Sequence, residues 1–213
     1  MKINTHSFAA AAILISILLF FFSCDNNPNP GPGEAGSEAE FTEGTEIVDE
    51  VEVPVVSFQA KDAASLGSAF WHIETDSGQG PFQDLEISLK KESGYDYGQY
   101  GIIFCYQDDL NFYLLTIDVR GGFAFQKVIG GTPVNIIAYS ESGDLTAGYD
   151  VFNAVKVQRS ANGKFDIYFN GTLSASMVDC TYHSGTSGYF VYVASESKEV
   201  FPSAPVAVVF TEI

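Results

Sequence analysis

The sequence predicts an all-β protein built as a two-sheet antiparallel β-sandwich, and three observations carry that reading. From residue 53 onward no stretch keeps helical spacing of apolar side chains, whereas period-two alternation and short apolar runs recur between turn signals. The chain of 213 residues is 46% hydrophobic and 14% aromatic, enough for one sizeable core. Ten or more short strands fall within about 160 residues, a density that points to two packed sheets.

The first clear strand, residues 84–90 (DLEISLK), alternates cleanly and has one wet face that carries Asp84 and Glu86. Residues 100–106 (YGIIFCY) are apolar on both faces, as expected for a central strand covered on each side. Residues 111–119, 123–129, 134–139, 151–158, 165–169, 173–178, 188–194 and 206–210 complete the series. The turns agree with it. Arg120-Gly121-Gly122, Ala161-Asn162-Gly163-Lys164 and Asn170-Gly171 each separate two strands, the last being the strongest short hairpin signal because both residues tolerate positive φ. Three such hairpins predict a meander. Asn170-Gly171-Thr172 also has the form of a glycosylation sequon, and the turn accounts for it.

Charge and composition exclude several functions. With 10 Lys and Arg against 27 Asp and Glu, a net charge of −17 leaves no basic surface for a phosphate backbone, so nucleic acid is excluded as a partner. Three Cys and three His are too few for a zinc cluster or a multi-disulfide scaffold, and no metal or cofactor is implied. Cys105 and Cys180 could pair in an oxidising compartment, but Cys105 lies among apolar residues, where a free thiol is common.

Three segments divide the chain. Residues 1–23 form an export signal, in which Lys2 precedes an uncharged, mostly apolar run from Phe8 to Phe22 that is shorter than the roughly 20 apolar residues of a membrane span. Residues 24–52 read as an acidic disordered tether: between Asp25 and Glu52 there are nine acids and no Lys or Arg among Asn, Pro and Gly. Residues 53–213 form the β-domain, which keeps 18 acids against nine bases and is acidic in its own right.

The junction Phe21-Phe22-Ser23-Cys24 resembles the lipobox of bacterial lipoproteins, in which a small residue precedes a Cys that is lipidated on sulfur and becomes the new N-terminus. Phe21 stands where Leu is usual, a departure similar to the looser lipoboxes of spirochaetes. The resemblance implies lipidation at Cys24, a membrane partner reached through that anchor, and a place in the bacterial cell envelope.

Within the β-domain, Gly101-Ile102-Ile103-Phe104, Asn111-Phe112-Tyr113, the strand from Asn153 to Val157, Asn170-Gly171 and Gly185 to Tyr189 follow one another in a recognisable order. That order resembles the concanavalin A-like lectin/glucanase superfamily, in its laminin-G-like and family-16-like jelly rolls. The resemblance spans about half the chain and implies a jelly-roll sandwich. Every matching residue is a strand or turn residue, so it speaks for the fold and little for function.

The family-16 enzymes of that superfamily carry Glu-x-Asp-x-x-Glu on one strand. The nearest string, Glu74-Thr75-Asp76-Ser77-Gly78-Gln79, ends in Gln and runs into a loop, so no catalytic residue is assigned. No Gly-x-Ser-x-Gly elbow occurs, and Cys105 sits inside a strand. Asp108-Asp109-Leu110-Asn111 reads as an Asx turn, although some laminin-G-like relatives bind calcium at such loops.

Flat side chains on which a sugar could stack are the remaining signal. Tyr95 and Tyr97, in Ser93-Gly94-Tyr95-Asp96-Tyr97-Gly98, are Gly-flanked loop aromatics; Tyr100 follows closely, and Trp71 is a further candidate although it adjoins Phe70 in a strand-like run. The sequence thus supports a lipid-anchored envelope protein whose β-sandwich binds a glycan or surface ligand without hydrolysing it. The alternatives are a structural or interaction lipoprotein with no small-ligand site, and a glycoside hydrolase-like enzyme.

Overall fold

Alternation of inward and outward side chains along thirteen strands builds the observed architecture, here a computed structural model that describes residues 39–48, 51–61, 65–74, 81–82, 84–195 and 205–212. The strands are β1 (Ala39–Val48), β2 (Val51–Ala60), β3 (Ser68–Ile73), β4 (Asp84–Ser93), β5 (Tyr100–Asp108), β6 (Asn111–Ile117), β7 (Gly122–Ile129), β8 (Thr132–Glu141), β9 (Asn153–Arg159), β10 (Lys164–Phe169), β11 (Thr172–Val178), β12 (Thr186–Val193) and β13 (Val206–Glu212). No α-helix occurs among the described residues. One sheet has seven strands in the order β1-β2-β13-β4-β9-β10-β11, the other six in the order β3-β12-β5-β6-β7-β8, and all pairings are antiparallel. The expected hairpins are present, β5 to β8 forming a meander in one sheet and β9 to β11 in the other. At the β10–β11 turn Asn170 and Gly171 take φ of 50° and 80°, as a two-residue hairpin turn requires.

The core lies between the sheets. Ile87 and Leu89 of β4, Val155 and Val157 of β9, and Phe165, Ile167 and Phe169 of β10 face Ile102, Phe104, Tyr113, Leu115 and Phe125 of the six-stranded sheet. The central strand is covered on both sides as its sequence predicts: Ile103, with 0% exposure, belongs to a second apolar cluster with Phe112, Leu114, Val128 and Phe190. Cys105 adopts φ of 50°, and β5 slips against β6 beyond Phe104, so consecutive Phe104 and Cys105 both enter the core. Both described cysteines are free, and burial pushes the Cys105 thiol up to about 12, which makes it unreactive.

One expectation needs correction. Ala39–Val48, placed in the tether by its acidity, forms β1 and pairs with β2 in continuous register from Ala39 opposite Ala60 to Val48 opposite Val51. The physical reason is that an edge strand needs apolar residues on one face only and tolerates charge on the other. Phe41 turns inward, its ring centroid 4.9 Å from Phe58 and 6.4 Å from Phe210, while Lys90 reaches Glu46 at 2.9 Å. Residues 1–23 and Cys24, the tether up to residue 38 and residues 75–80 lie outside the described residues.

A polar latch joins the sheets beyond the end of β11. Asp179 accepts hydrogen bonds from Lys127 Nζ at 2.6 Å, from the Thr181 amide at 2.9 Å and from the Tyr113 hydroxyl. The same hydroxyl accepts from the amides of Thr181 and Tyr182 at 3.1 and 3.2 Å. Burial alone would raise the Asp179 pKa, but hydrogen bonds from Lys127, Thr181 and Tyr113 outweigh it and hold the carboxyl well below the usual carboxylate range.

Two outcomes follow from this architecture. A chain beginning at Val51 lacks β1, leaves Phe58 and Phe210 without Phe41, and should melt lower than one beginning at Ala39; equal melting temperatures would show β1 to be dispensable. Because the folded pKa of Asp179 is depressed, its contribution is complete above the unfolded value of about 3.9 and fades as pH falls through the folded value. Asp179→Asn should therefore cost about 2 kcal/mol at pH 7 and flatten the acid decline of stability between pH 5 and 2, read from parallel melting curves.

Candidate functional site

The loop between β4 and β5 places Tyr95 and Tyr97 at one end of the sandwich. It turns at Gly94, with φ of 116°, and closes with the Gly98 amide donating to the Tyr95 carbonyl at 2.9 Å. The two rings lie 5.3 Å apart, and Tyr97 is 50% exposed. The fold brings two further elements to them, the β6–β7 turn and the end of β8. The Arg120 guanidinium sits 3.8 Å from the Tyr97 ring centroid and 5.2 Å from that of Tyr139, within cation–π range of both.

Asp118, 3% exposed, holds this arrangement from below. Its Oδ2 accepts from Arg120 Nη2 at 2.7 Å and from the Tyr139 hydroxyl at 2.9 Å; its Oδ1 accepts from the amides of Arg120 at 2.9 Å and Gly122 at 3.1 Å. Arg120 Nη2 also donates to the Tyr139 hydroxyl at 2.7 Å. Burial and the neighbouring Asp118 carboxylate push the Tyr139 phenol up to about 12, so it stays protonated. A Cβ at position 122 would stand 1.9 Å from the Tyr139 hydroxyl, so glycine there lets that ring occupy its place. On the loop's other flank the Tyr149 hydroxyl lies 2.6 Å from both the Gly94 carbonyl and Asp96 Oδ1.

The remaining stacking candidates are elsewhere. Tyr100 is 1% exposed and lies in the core with Ile102 and Phe104, so its face cannot meet a ligand; this corrects its assignment. Trp71, on the outer face of β3, packs against the second apolar cluster and donates from Nε1 to Asp109 at 3.2 Å. Asp109 belongs to the β5–β6 hairpin, at the opposite end of seven-residue β6 from Arg120, roughly 20 Å away. The structure therefore unites Tyr95 with Tyr97, places Trp71 at the other end of the sandwich and buries Tyr100. Arg120, Asp118 and Tyr139 were legible only as Asp-x-Arg-Gly-Gly and a strand tyrosine.

The acidic candidates are engaged internally. Asp108 Oδ1 accepts from the Leu110 amide and Asn111 Nδ2, both at 2.8 Å, as an Asx turn does. Glu74 accepts from the Tyr189 hydroxyl. On the wet face of β4, Gln158 donates to Asp84 at 3.0 Å and Lys156 pairs with Glu86 at 2.9 Å. Among the described residues no group of three or more His, Cys, Asp and Glu could hold a metal ion. A concavity of about 540 Å³ opens near β1 and β3, lined by Glu43, His72, Glu74, Tyr189 and Phe210 among others.

No protein-family model and no curated protein matches the chain. Among solved structures it is similar to the carbohydrate binding module CBM66 from Bacillus subtilis, with 15% identity over 82% of this chain and 92% of that one and a TM-score of 0.50. The galectin LEC-6 from Caenorhabditis elegans matches at 13% identity over 68% of this chain and 96% of the galectin, with a TM-score of 0.40. At these identities the likeness shows the fold alone. The chain is a two-sheet β-sandwich of the jelly-roll class.

Proposed function

We propose that this chain is a lipid-anchored envelope protein whose β-sandwich binds a neutral glycan at Tyr97, Arg120 and Tyr139 and does not hydrolyse it. The observation that carries the reading is the guanidinium of Arg120 held against two tyrosine rings, of which Tyr97 is 50% and Tyr139 38% exposed. An aromatic face receives the C–H face of a sugar ring, and an adjacent fixed donor can meet its hydroxyls. The carbohydrate binding module from Bacillus subtilis named above has the same fold, which is compatible with this role.

Hydrogen-bond geometry favours hydroxyls over carboxylates. A bidentate carboxylate needs two neighbouring N–H groups of the guanidinium fork, and either pairing includes Nη2. Nη2 already donates to both Asp118 and Tyr139. The donors left at Nε and Nη1 point apart and suit single bonds to neutral oxygens. An overall charge of −17 further disfavours polyanionic polysaccharides at low salt.

A glycan array probed with the purified chain tests the reading. Tyr97→Ala should weaken binding at least about tenfold, about 1.4 kcal/mol, while leaving the melting temperature nearly unchanged because the ring is half exposed. A silent array would turn the reading to a structural envelope lipoprotein. Anchoring rests on Ser23-Cys24 after the apolar run. Cys24→Ser should move the protein from the membrane to the soluble envelope fraction, and unaltered partitioning in detergent-free fractionation would sink the anchor.

A further inference from the structure

Period two places Ile87, Leu89 and Lys91 on the inner face of β4, so a lysine occupies the last core position before the tyrosine loop. Lys91 is 1% exposed. Burying an ammonium is costly unless its donors are met, and here the loop itself takes two of the three. Nζ donates to the Tyr95 carbonyl at 2.6 Å and to the Gly98 carbonyl at 2.9 Å, the two carbonyls that bracket Asp96 and Tyr97.

We propose that Lys91 is the positioning residue of the tyrosine platform: its buried ammonium sets the Tyr95–Tyr97 loop in the shape that receives the glycan, an inference that rests on the glycan reading above. Lys91 touches no ligand and acts through the two carbonyls. The charged and titratable groups around it come from each neighbouring element. Asp118 acts on it from the β6–β7 turn and Asp96 from the loop; Tyr100 begins β5; Tyr149 and Asp150 belong to the β8–β9 segment, whose Asp150 amide donates to the Lys91 carbonyl at 2.9 Å. β13 presents only Val208 opposite it. Asp118, which pairs directly with Arg120, also favours the charged form of Lys91 through space.

Burial pushes the Lys91 ammonium down to about 8, with Asp118 and Asp96 opposing the shift. Above that pH the bonds to the carbonyls lose their charge assistance. Global stability moves the other way. A lysine titrating at about 8 when folded and about 10.4 when unfolded adds stability as pH rises through that window. Binding that falls while the Lys91 contribution to stability rises is a signature that a merely structural lysine would not produce.

The experiment uses the full chain, uncharged oligosaccharides of glucose, mannose and xylose as probes, and hydrogen–deuterium exchange of amides 94–99. Lys91→Met keeps the stem and removes the charge; it should loosen those amides about tenfold and weaken probe binding about tenfold at pH 7. Wild-type binding should fall about tenfold between pH 7 and 9.5, and the binding of Lys91→Met should be flat. Wild-type binding that Lys91→Met retains in full, or a pH profile the two share, overturns the proposal alone. If wild type binds none of the probes, the glycan reading falls and takes the proposal with it. Should Lys91→Met fail to fold, the wild-type profile decides, and binding that stays flat to pH 9.5 overturns the proposal.

Discussion

Four aromatic rings hold the two sheets together. Phe104, Tyr113 and Phe125 of the six-stranded sheet meet Phe165 of the seven-stranded sheet with ring centroids 5.2 to 5.8 Å apart, and each of the four residues is 0% exposed. Phe165 makes an edge-to-face pair with each of the other three, at interplanar angles of 62°, 69° and 72°, the orientation that the ring quadrupole favours. Each buried ring contributes about 2–3 kcal/mol by leaving water. Burial of this kind has no preferred direction, so the edge-on geometry and the polar tip of Tyr113 set the relative placement of the layers. That tip is the hydroxyl that bonds Asp179.

With adhesion concentrated between the sheets, the ends of the sandwich are free to carry polar chemistry, and the two ends treat buried charge in the same way. At one end Asp179 is matched by Lys127 and Tyr113, at the other Asp118 is matched by Arg120, Tyr139 and two backbone amides. Asp179 ties the chain after β11 to β6 and β7, and Asp118 ties the β6–β7 turn to β8. The ion pairs on wet faces are of another kind: Lys156 with Glu86 and Lys164 with Asp166 are partly exposed, and such pairs contribute little.

The strands from β4 onward were legible because one face is apolar at period two, as in residues 84–90, or both faces are, as in residues 100–106; β2 was not legible as a strand, and β3 only as a strand-like run at Phe70 and Trp71. β1 was not legible, because Phe41 and Ala39 are the inward residues of a stretch whose side chains up to Glu46 are otherwise acidic or small, and edge pairing rather than apolar density makes it a strand. Tyr100 was misread by its nearness to the loop, although alternation with Ile102 and Phe104 sets it in the core. Tyr95 and Tyr97 were legible as aromatics between glycines. Their partners were not, because Arg120 and Tyr139 reach Tyr97 through strand pairings and bulges of β7 against β8 that no local pattern encodes.

The arrangement also explains how a loop can present a defined surface. A mobile tyrosine or arginine must be ordered on binding, at about 0.5–1.5 kcal/mol for each side chain, and that cost subtracts from affinity. Here the ordering is done during folding. Asp118 fixes Arg120, Arg120 stacks on Tyr97, Tyr149 approaches Gly94 and Asp96, and Lys91 ties the carbonyls of Tyr95 and Gly98. The buried charges are unfavourable as contributions to stability compared with apolar packing, and they are placed where a rigid polar frame is needed under an exposed ring. Because Asp118 neutralises Arg120 at 2.7 Å, the surface offers aromatic faces and directed donors rather than net charge. On the proposed glycan reading, shape and hydroxyl placement, more than electrostatic attraction, would select the ligand.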